Sequence, residues 1–494
     1  MKSLIKISAL LAIVLSLGSC KKYLDLAPIS NQSTASFYKS ESDIDQALAG
    51  TYNVLLAFPD VNNYNLSECR SNNYYLGSVD AQRDYYTINH FQVTSALAML
   101  ETAWTNDYKL IGRANQVLDV IDNIPFLDST KRKREKAEAR FLRAYSYFEL
   151  VKAFGAVPLI QHVVTSDEVL NYKRVGVDTV YNFITAELQA ASVDLPLKYT
   201  ATADKGRVTK LAALGMLGRA YMFMAGYPMN KAQYYSNAQV AFQQVLAQEN
   251  ANGWTFAPSY AALFKTANDN LYHLFEVQYI SGGQGYGSQI PGEVVPNDVT
   301  TQLLPFGGYY VAGEPSPDLI AGYETGDVRK MLTLDTLYRN KSNVMIRKSW
   351  VKKYLDSSVA ASTKNSSDWP VNFPLLRPED VMLMYAEATN EISGPNTAIT
   401  TLLNRIRNRA GLAGITPPTQ DSMRVAIRNE RRHEFAWEGI YWYDLVRTNQ
   451  YLPVMNPWLQ ANYQKTIDLT QYIYPIPQPE MNIKPGLYYP NPGY

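Results

Sequence analysis

Between Ser42 and about Asn250 the chain reads as six consecutive amphipathic helices, near 43–57, 98–123, 131–154, 177–194, 207–225 and 233–249. Apolar residues recur there at helical rather than strand spacing, and this constrains the fold more than any other feature of the sequence. In the third segment Ala137, Phe141, Ala144, Tyr145, Phe148 and Val151 make one stripe, while Lys, Arg and Glu fill the other face. Gly155 and Pro158 then stop it. The fifth and sixth segments carry Leu217-Gly218-x-x-Tyr221 and Ala238-x-x-x-Phe242-x-x-Val245, a degenerate helical-repeat pattern with an overlong joint around Tyr227–Tyr235. Helices of this kind bury their apolar stripes by stacking in pairs.

Helical periodicity returns at Pro378–Ile392 and Thr397–Ala410, with Gly394-Pro395 as the corner and Gly411 as the closing cap. Between Tyr279 and about Trp369 it disappears, and Gly, Pro, Ser, Asn and aromatic residues take over. A stretch this long without periodicity is functional or disordered, and its aromatic content favours function. Glycines 282, 283, 285 and 287 are expected to form a flexible loop presenting Tyr286. The proline-rich tail from Tyr472 to Tyr494 is expected to run extended along the surface.

The start of the chain is a sorting signal. Lys2 and Lys6 precede an apolar run, Ile7–Leu17, that is too short for a stable span. It ends in Leu17-Gly18-Ser19-Cys20, which resembles a bacterial lipobox and makes Cys20 the expected lipid anchor. Several acyl chains, at about 0.8 kcal/mol per buried methylene, hold a soluble domain at a membrane. Beyond residue 20 no stretch approaches the about eighteen apolar residues of a spanning helix. Cys69 then remains alone, so stability must come from core burial.

The 46 basic and 45 acidic residues nearly cancel, which argues against broad capture of nucleic acid. Tyrosine is in excess, 37 against 16 phenylalanines, and its apolar ring with a wet hydroxyl suits ligand-stacking loops. Two mixed patches stand out: Asn72, Tyr74, Tyr75, Asp80, Arg83, Tyr85 and Tyr86; and Tyr286, Phe306, Tyr309 and Tyr310. Sugar rings offer C–H faces for stacking and hydroxyls for bonds to Asp, Asn and Arg, so these residues are the candidate ligand-binding set; a peptide would suit them as well.

Catalytic signatures are missing. Glu430, Glu434 and Glu438 share one helical face, whereas glycoside hydrolysis needs two carboxylates flanking a bond, usually from different elements. The expected role is an ionic ladder of Glu and Arg at i,i+3 and i,i+4 that holds this helix against its neighbours. His90, His162, His273 and His433 lack the neighbours that zinc sites show, and no phosphate loop or nucleophile elbow occurs. No catalytic residue, metal or cofactor is expected.

Taken in order, the blocks FYKSESDIDQALAGTYNVL, RANQVLDVI, AEARFLRAYSYFELVKAFGAVPLI, GRVTKLAALGMLGRAYMFMAG, RPEDVMLMYAEATNEI, NRIRNRAGL, RNERRHEFAWEGIYWYDLVRT, YPIPQPEMN and NPGY resemble the SusD or RagB family of Bacteroidetes lipoproteins. The resemblance implies a mostly α fold: a tetratricopeptide-like helical repeat scaffold of four units with a long loop-rich ligand-binding region. It implies a signal peptide over 1–19 and one domain over 20–494, with scaffold 42–250 and 378–445, insert about 279–370 and tail 470–494. It further implies display at the outer membrane, and delivery of an oligosaccharide or peptide to a TonB-dependent SusC-like transporter without catalysis. A scaffold that binds only other proteins is the reading from a different class.

Overall fold

The computed structural model describes residues 37–77, 83–250, 253–300, 305–306 and 313–494. The signal segment with Cys20, and Asp80, Tyr309 and Tyr310, lie outside the described residues. The expected helices form as α1 (Glu41–Val54), α3 (Ala98–Val120), α4 (Ser129–Phe154), α5 (Val177–Asp194), α6 (Lys210–Ala225) and α7 (Tyr234–Leu246), with α2 (Arg83–Asn89) between the first two. After the insert come α8 (Pro378–Ser393), α9 (Thr397–Arg409), α10 (Gln420–Glu434), α11 (Tyr441–Arg447) and α12 (Tyr451–Tyr463). Side-chain caps set the starts: Asp128 accepts from the Thr130 N–H, Thr209 from that of Ala212 and Asn396 from that of Ile399. Among the described residues no helix is long and apolar enough to cross a membrane.

Packing follows sequence order. Helix α3 lies on α4, α4 on α5, α5 on α6 and α6 on α7; α7 then packs on α8, and α8 on α9 and α10. The whole insert leaves the stack after α7 and returns at α8 without breaking it. One continuous core runs through it, from Leu100 and Phe141 to Phe242, Met382 and Ile406. This is the tetratricopeptide-like scaffold, antiparallel pairs each burying the stripe of the next.

The strands are short and all paired in twos: β1 (Tyr74–Tyr75) with β5 (Glu314–Pro315), β2 (Val157–Pro158) with β3 (Arg174–Val175), β4 (Phe275–Val277) with β8 (Phe373–Leu376), and the hairpin β6 (Leu334–Arg339) with β7 (Met345–Val351). The insert is therefore more ordered than its composition implies, holding that hairpin and short helices at Ile290–Val294, Pro317–Gly322 and Val328–Thr333.

The tail is not extended throughout, since Gln478–Asn482 forms a short helix, and it packs back on the end of α4. The Tyr474 N–H donates to the Ala153 carbonyl (2.8 Å), and the Asn491 amide donates to that of Phe154 (2.8 Å). Arg70, fully buried, donates to the carbonyls of Gln471 (2.7 Å) and Ile473 (3.3 Å). Its guanidinium lies 4.0 Å from the Tyr474 ring centroid, 4.6 Å from Phe91 and 5.1 Å from Trp442.

Candidate ligand-binding site

Tyr74 and Tyr75 of the first aromatic patch form β1, which pairs with β5: Tyr74 faces Pro315 and Tyr75 faces Glu314. The ladder is short, so its neighbours hold it. The Ser316 N–H donates to the Asn73 carbonyl (2.9 Å), the Ser316 hydroxyl to that of Asn72 (2.5 Å), and the Gly313 N–H to the Tyr74 hydroxyl (2.5 Å), 239 residues away in sequence. Residue 313 must be small: a Cβ there would sit 2.4 Å from the Tyr75 carbonyl oxygen and 2.6 Å from the Tyr74 ring.

Burial sorts the first patch. Tyr74 is 0% exposed and packs on Trp437 with centroids 6.0 Å apart, so it is core rather than a ligand platform. Tyr85 is buried in the same core. Asn72 is buried as well, its amide donating to Asp318 (2.7 Å) while its side-chain oxygen has no partner. Arg83 opens α2. Only Tyr75 and Tyr86 keep part of their rings in solvent.

Those two rings end a stack. Tyr86 lies on His90 (centroids 3.7 Å, planes 18° apart), His90 on Tyr463 (3.6 Å, 25°), and Tyr463 alongside Tyr75 (6.0 Å, 16°). Trp458 meets Tyr463 edge-on at 5.0 Å. The backbone of Leu76 fixes the two middle rings: its N–H donates to the Tyr463 hydroxyl (3.2 Å), and its carbonyl accepts from His90 Nε2 (2.9 Å). A carbonyl only accepts, so the His90 proton sits on Nε2. Burial keeps this imidazole below its usual pKa, against the Leu76 bond and with help from the Lys465 ammonium.

His90, Trp458 and Tyr463 did not stand out as site residues in the sequence. Tyr463 is the last residue of α12, and Pro453 and Pro457 disguise that helix. No sequence signal links it to Leu76, 387 residues earlier.

Tyr286, from the second patch, is 42% exposed, and Phe306 is 49% exposed. The glycine loop carrying Tyr286 is pinned rather than flexible. The Asp368 carboxylate accepts from the N–H groups of Gly282 (3.0 Å), Gly283 (3.0 Å) and Lys364 (3.0 Å). Burial acts against its charge, but these backbone donors outweigh it and hold the carboxyl below the usual range.

The acidic face of α10 is structural, with partners other than those expected. Glu434 is 0% exposed and accepts from Arg329 (3.1 Å), Arg377 (2.9 Å) and Arg409, all from other elements. Glu430 also pairs with Arg329 (2.5 Å); Glu438 is not on this helical face, because α10 ends at Glu434, and it pairs with Lys353 (2.6 Å) and Arg377 (2.8 Å). The ladder runs between α10 and neighbouring elements instead of along one helix. Burial pulls the Lys353 ammonium down to about 8, against the attraction of Glu438. Among the described residues no cluster of His, Cys, Asp or Glu could hold a metal ion.

Comparison with known proteins agrees with this architecture. A SusD-like protein of Formosa agariphila is 26% identical over 521 residues, covering 98% of each chain. Another, from Bacteroides ovatus, is 28% identical over 92% of this chain and 84% of its own. The solved surface glycan-binding protein A from Bacteroides thetaiotaomicron, in complex with laminarihexaose, has a TM-score of 0.78 at 18% identity over 92% of this chain and 100% of its own. A family model described as starch-binding associating with outer membrane matches residues 22–222. The model of the SusD family matches residues 224–494, and the chain belongs to that family.

Proposed function

We propose that the protein is a glycan-binding component of nutrient uptake at the outer membrane, tethered through Cys20, which passes oligosaccharide to a TonB-dependent SusC-like transporter. The stack Tyr86–His90–Tyr463–Tyr75 carries this reading. It is an aromatic ridge with partly open rings at both ends, and it suits the C–H faces of a pyranose. The laminarihexaose held by a protein of the same fold is consistent with it. No catalytic role is assigned, because the carboxylates that a hydrolase would need are consumed in buried ion pairs.

The test is calorimetric titration of the whole chain in detergent with panels of oligosaccharides and oligopeptides, comparing wild type with Tyr86→Ala and Tyr75→Ala. Each aromatic contact is worth about 0.5–1.5 kcal/mol, so each variant should bind a glycan roughly 2- to 12-fold more weakly while melting normally. Binding confined to peptides, or unchanged glycan affinity in both variants, would refute the proposal.

A further inference from the structure

Beside the stack a cleft of about 640 Å³ opens between α10, α11, α12 and the short helix Pro317–Gly322. Trp458 and Asn462 line it, and since Trp458 also abuts Tyr463, cleft and stack share a wall. Four arginines line it too, Arg428, Arg431, Arg432 and Arg447.

Three of the four are spent within the protein. Arg431 pairs with Asp380 (2.7 Å) and Asp444 (2.8 Å). Arg447 pairs with Asp444 (2.8 Å) and, through two nitrogens, with Glu387. Arg432 binds Asp318 (2.6 Å) and the Asn73 side chain (2.8 Å). Arg428 differs. Half-buried, it has no hydrogen bond or ion pair among the described residues. The carboxylates whose charge reaches it are occupied, Glu387 by Arg447 and Glu391 by both Arg424 Nε and Nη2 (2.6 Å each). It also lines an adjoining hollow of about 180 Å³ with Tyr235, so it stands on the saddle between two depressions.

A guanidinium stays charged under all physiological conditions, and its planar fork matches an oxyanion better than a hydroxyl. Neutral sugar hydroxyls would satisfy its donors and leave its charge uncompensated. We infer that the cleft is a subsite for an anionic sugar residue, bearing a carboxylate or a sulfate ester, with Arg428 as the ligand for the oxyanion. The inference rests on the glycan-binding reading and narrows its ligand to acidic oligosaccharides.

The test titrates the whole chain in detergent with matched pairs: oligogalacturonate and its methyl ester, and a sulfated galactan oligosaccharide and its desulfated form. The anionic member of one pair should bind at least about tenfold tighter, with affinity falling as salt rises, and Arg428→Gln should bring that ratio close to one. Circular dichroism melting controls for folding, which the absence of partners for Arg428 makes robust. Preference within the first pair identifies a carboxylate, and within the second a sulfate ester. Equal affinity within each pair, or a ratio that survives Arg428→Gln, overturns the inference and leaves the glycan reading intact. Silence toward every pair overturns the inference; peptide-only binding in the wider panel overturns the glycan reading beneath it.

Discussion

Replacing Glu434 by Gln should destabilise the protein by several kcal/mol without any effect that needs a ligand. The carboxylate is fully buried and accepts from three guanidinium groups. Burial opposes its ionisation, yet Arg409, Arg377 and Arg329 hold its carboxyl well below the usual range. Removing one partner of a buried pair costs about 3–5 kcal/mol, because the other charge stays buried and uncompensated. Here the three arginines keep second partners, Arg329 with Asp327, Arg377 with Glu438 and Arg409 with Glu379, which places the loss toward the lower end. The unfolding entropy of about 2.1 cal/mol/K per residue, over about 475 residues, gives about 1 kcal/mol per kelvin for a cooperative transition. The melting temperature should therefore fall by about 3–4 °C, read by far-ultraviolet circular dichroism. Asp421→Asn is the control: its side chain is 87% exposed and pairs with Arg424, so the loss should stay under about 1 kcal/mol. An unchanged melting temperature for Glu434→Gln, or a fall no larger than that of the control, would refute the argument.

Two further outcomes follow from the packing and the buried charges. Gly218→Ala should cost about 1–3 kcal/mol in urea unfolding, since the new Cβ would fall 2.4 Å from Phe242 Cε1 where α6 crosses α7. Burial and the neighbouring Asp45 carboxylate push the Glu135 carboxyl up to about 8. A folded pKa above the unfolded value stabilises fully below about pH 4.5 and is lost as pH rises toward about 8. Urea midpoints should thus decline across that window in the wild type, and Glu135→Gln should flatten the decline.

The scaffold was legible because its signal is local. Phe141, Tyr145 and Phe148 announce α4 by spacing alone, and Gly155 ends it with φ of 70°. The site was legible only as composition. Tyr74 and Tyr75 look alike in sequence, but strand alternation turns one into the core and leaves the other beside solvent. The ridge depends on Leu76 meeting Tyr463, a contact made by the tertiary fold and written in neither segment. The charges of α10 do hold it against its neighbours, but their partners could not be read from spacing for the same reason: burial recruited Arg329, Arg377 and Arg409 from outside the helix.

The Arg70 cage bears on the order in which the chain can assemble. Its rings and acceptors come from Phe91, Trp442, Gln471, Ile473 and Tyr474, so this cation is housed only when residues some 400 positions downstream arrive. Helical pairs are made of local contacts, whereas the shelter of Arg70 is made of contacts between the two ends of the chain. A chain interrupted before residue 471 would leave this buried charge without its two carbonyl acceptors and without the Tyr474 ring.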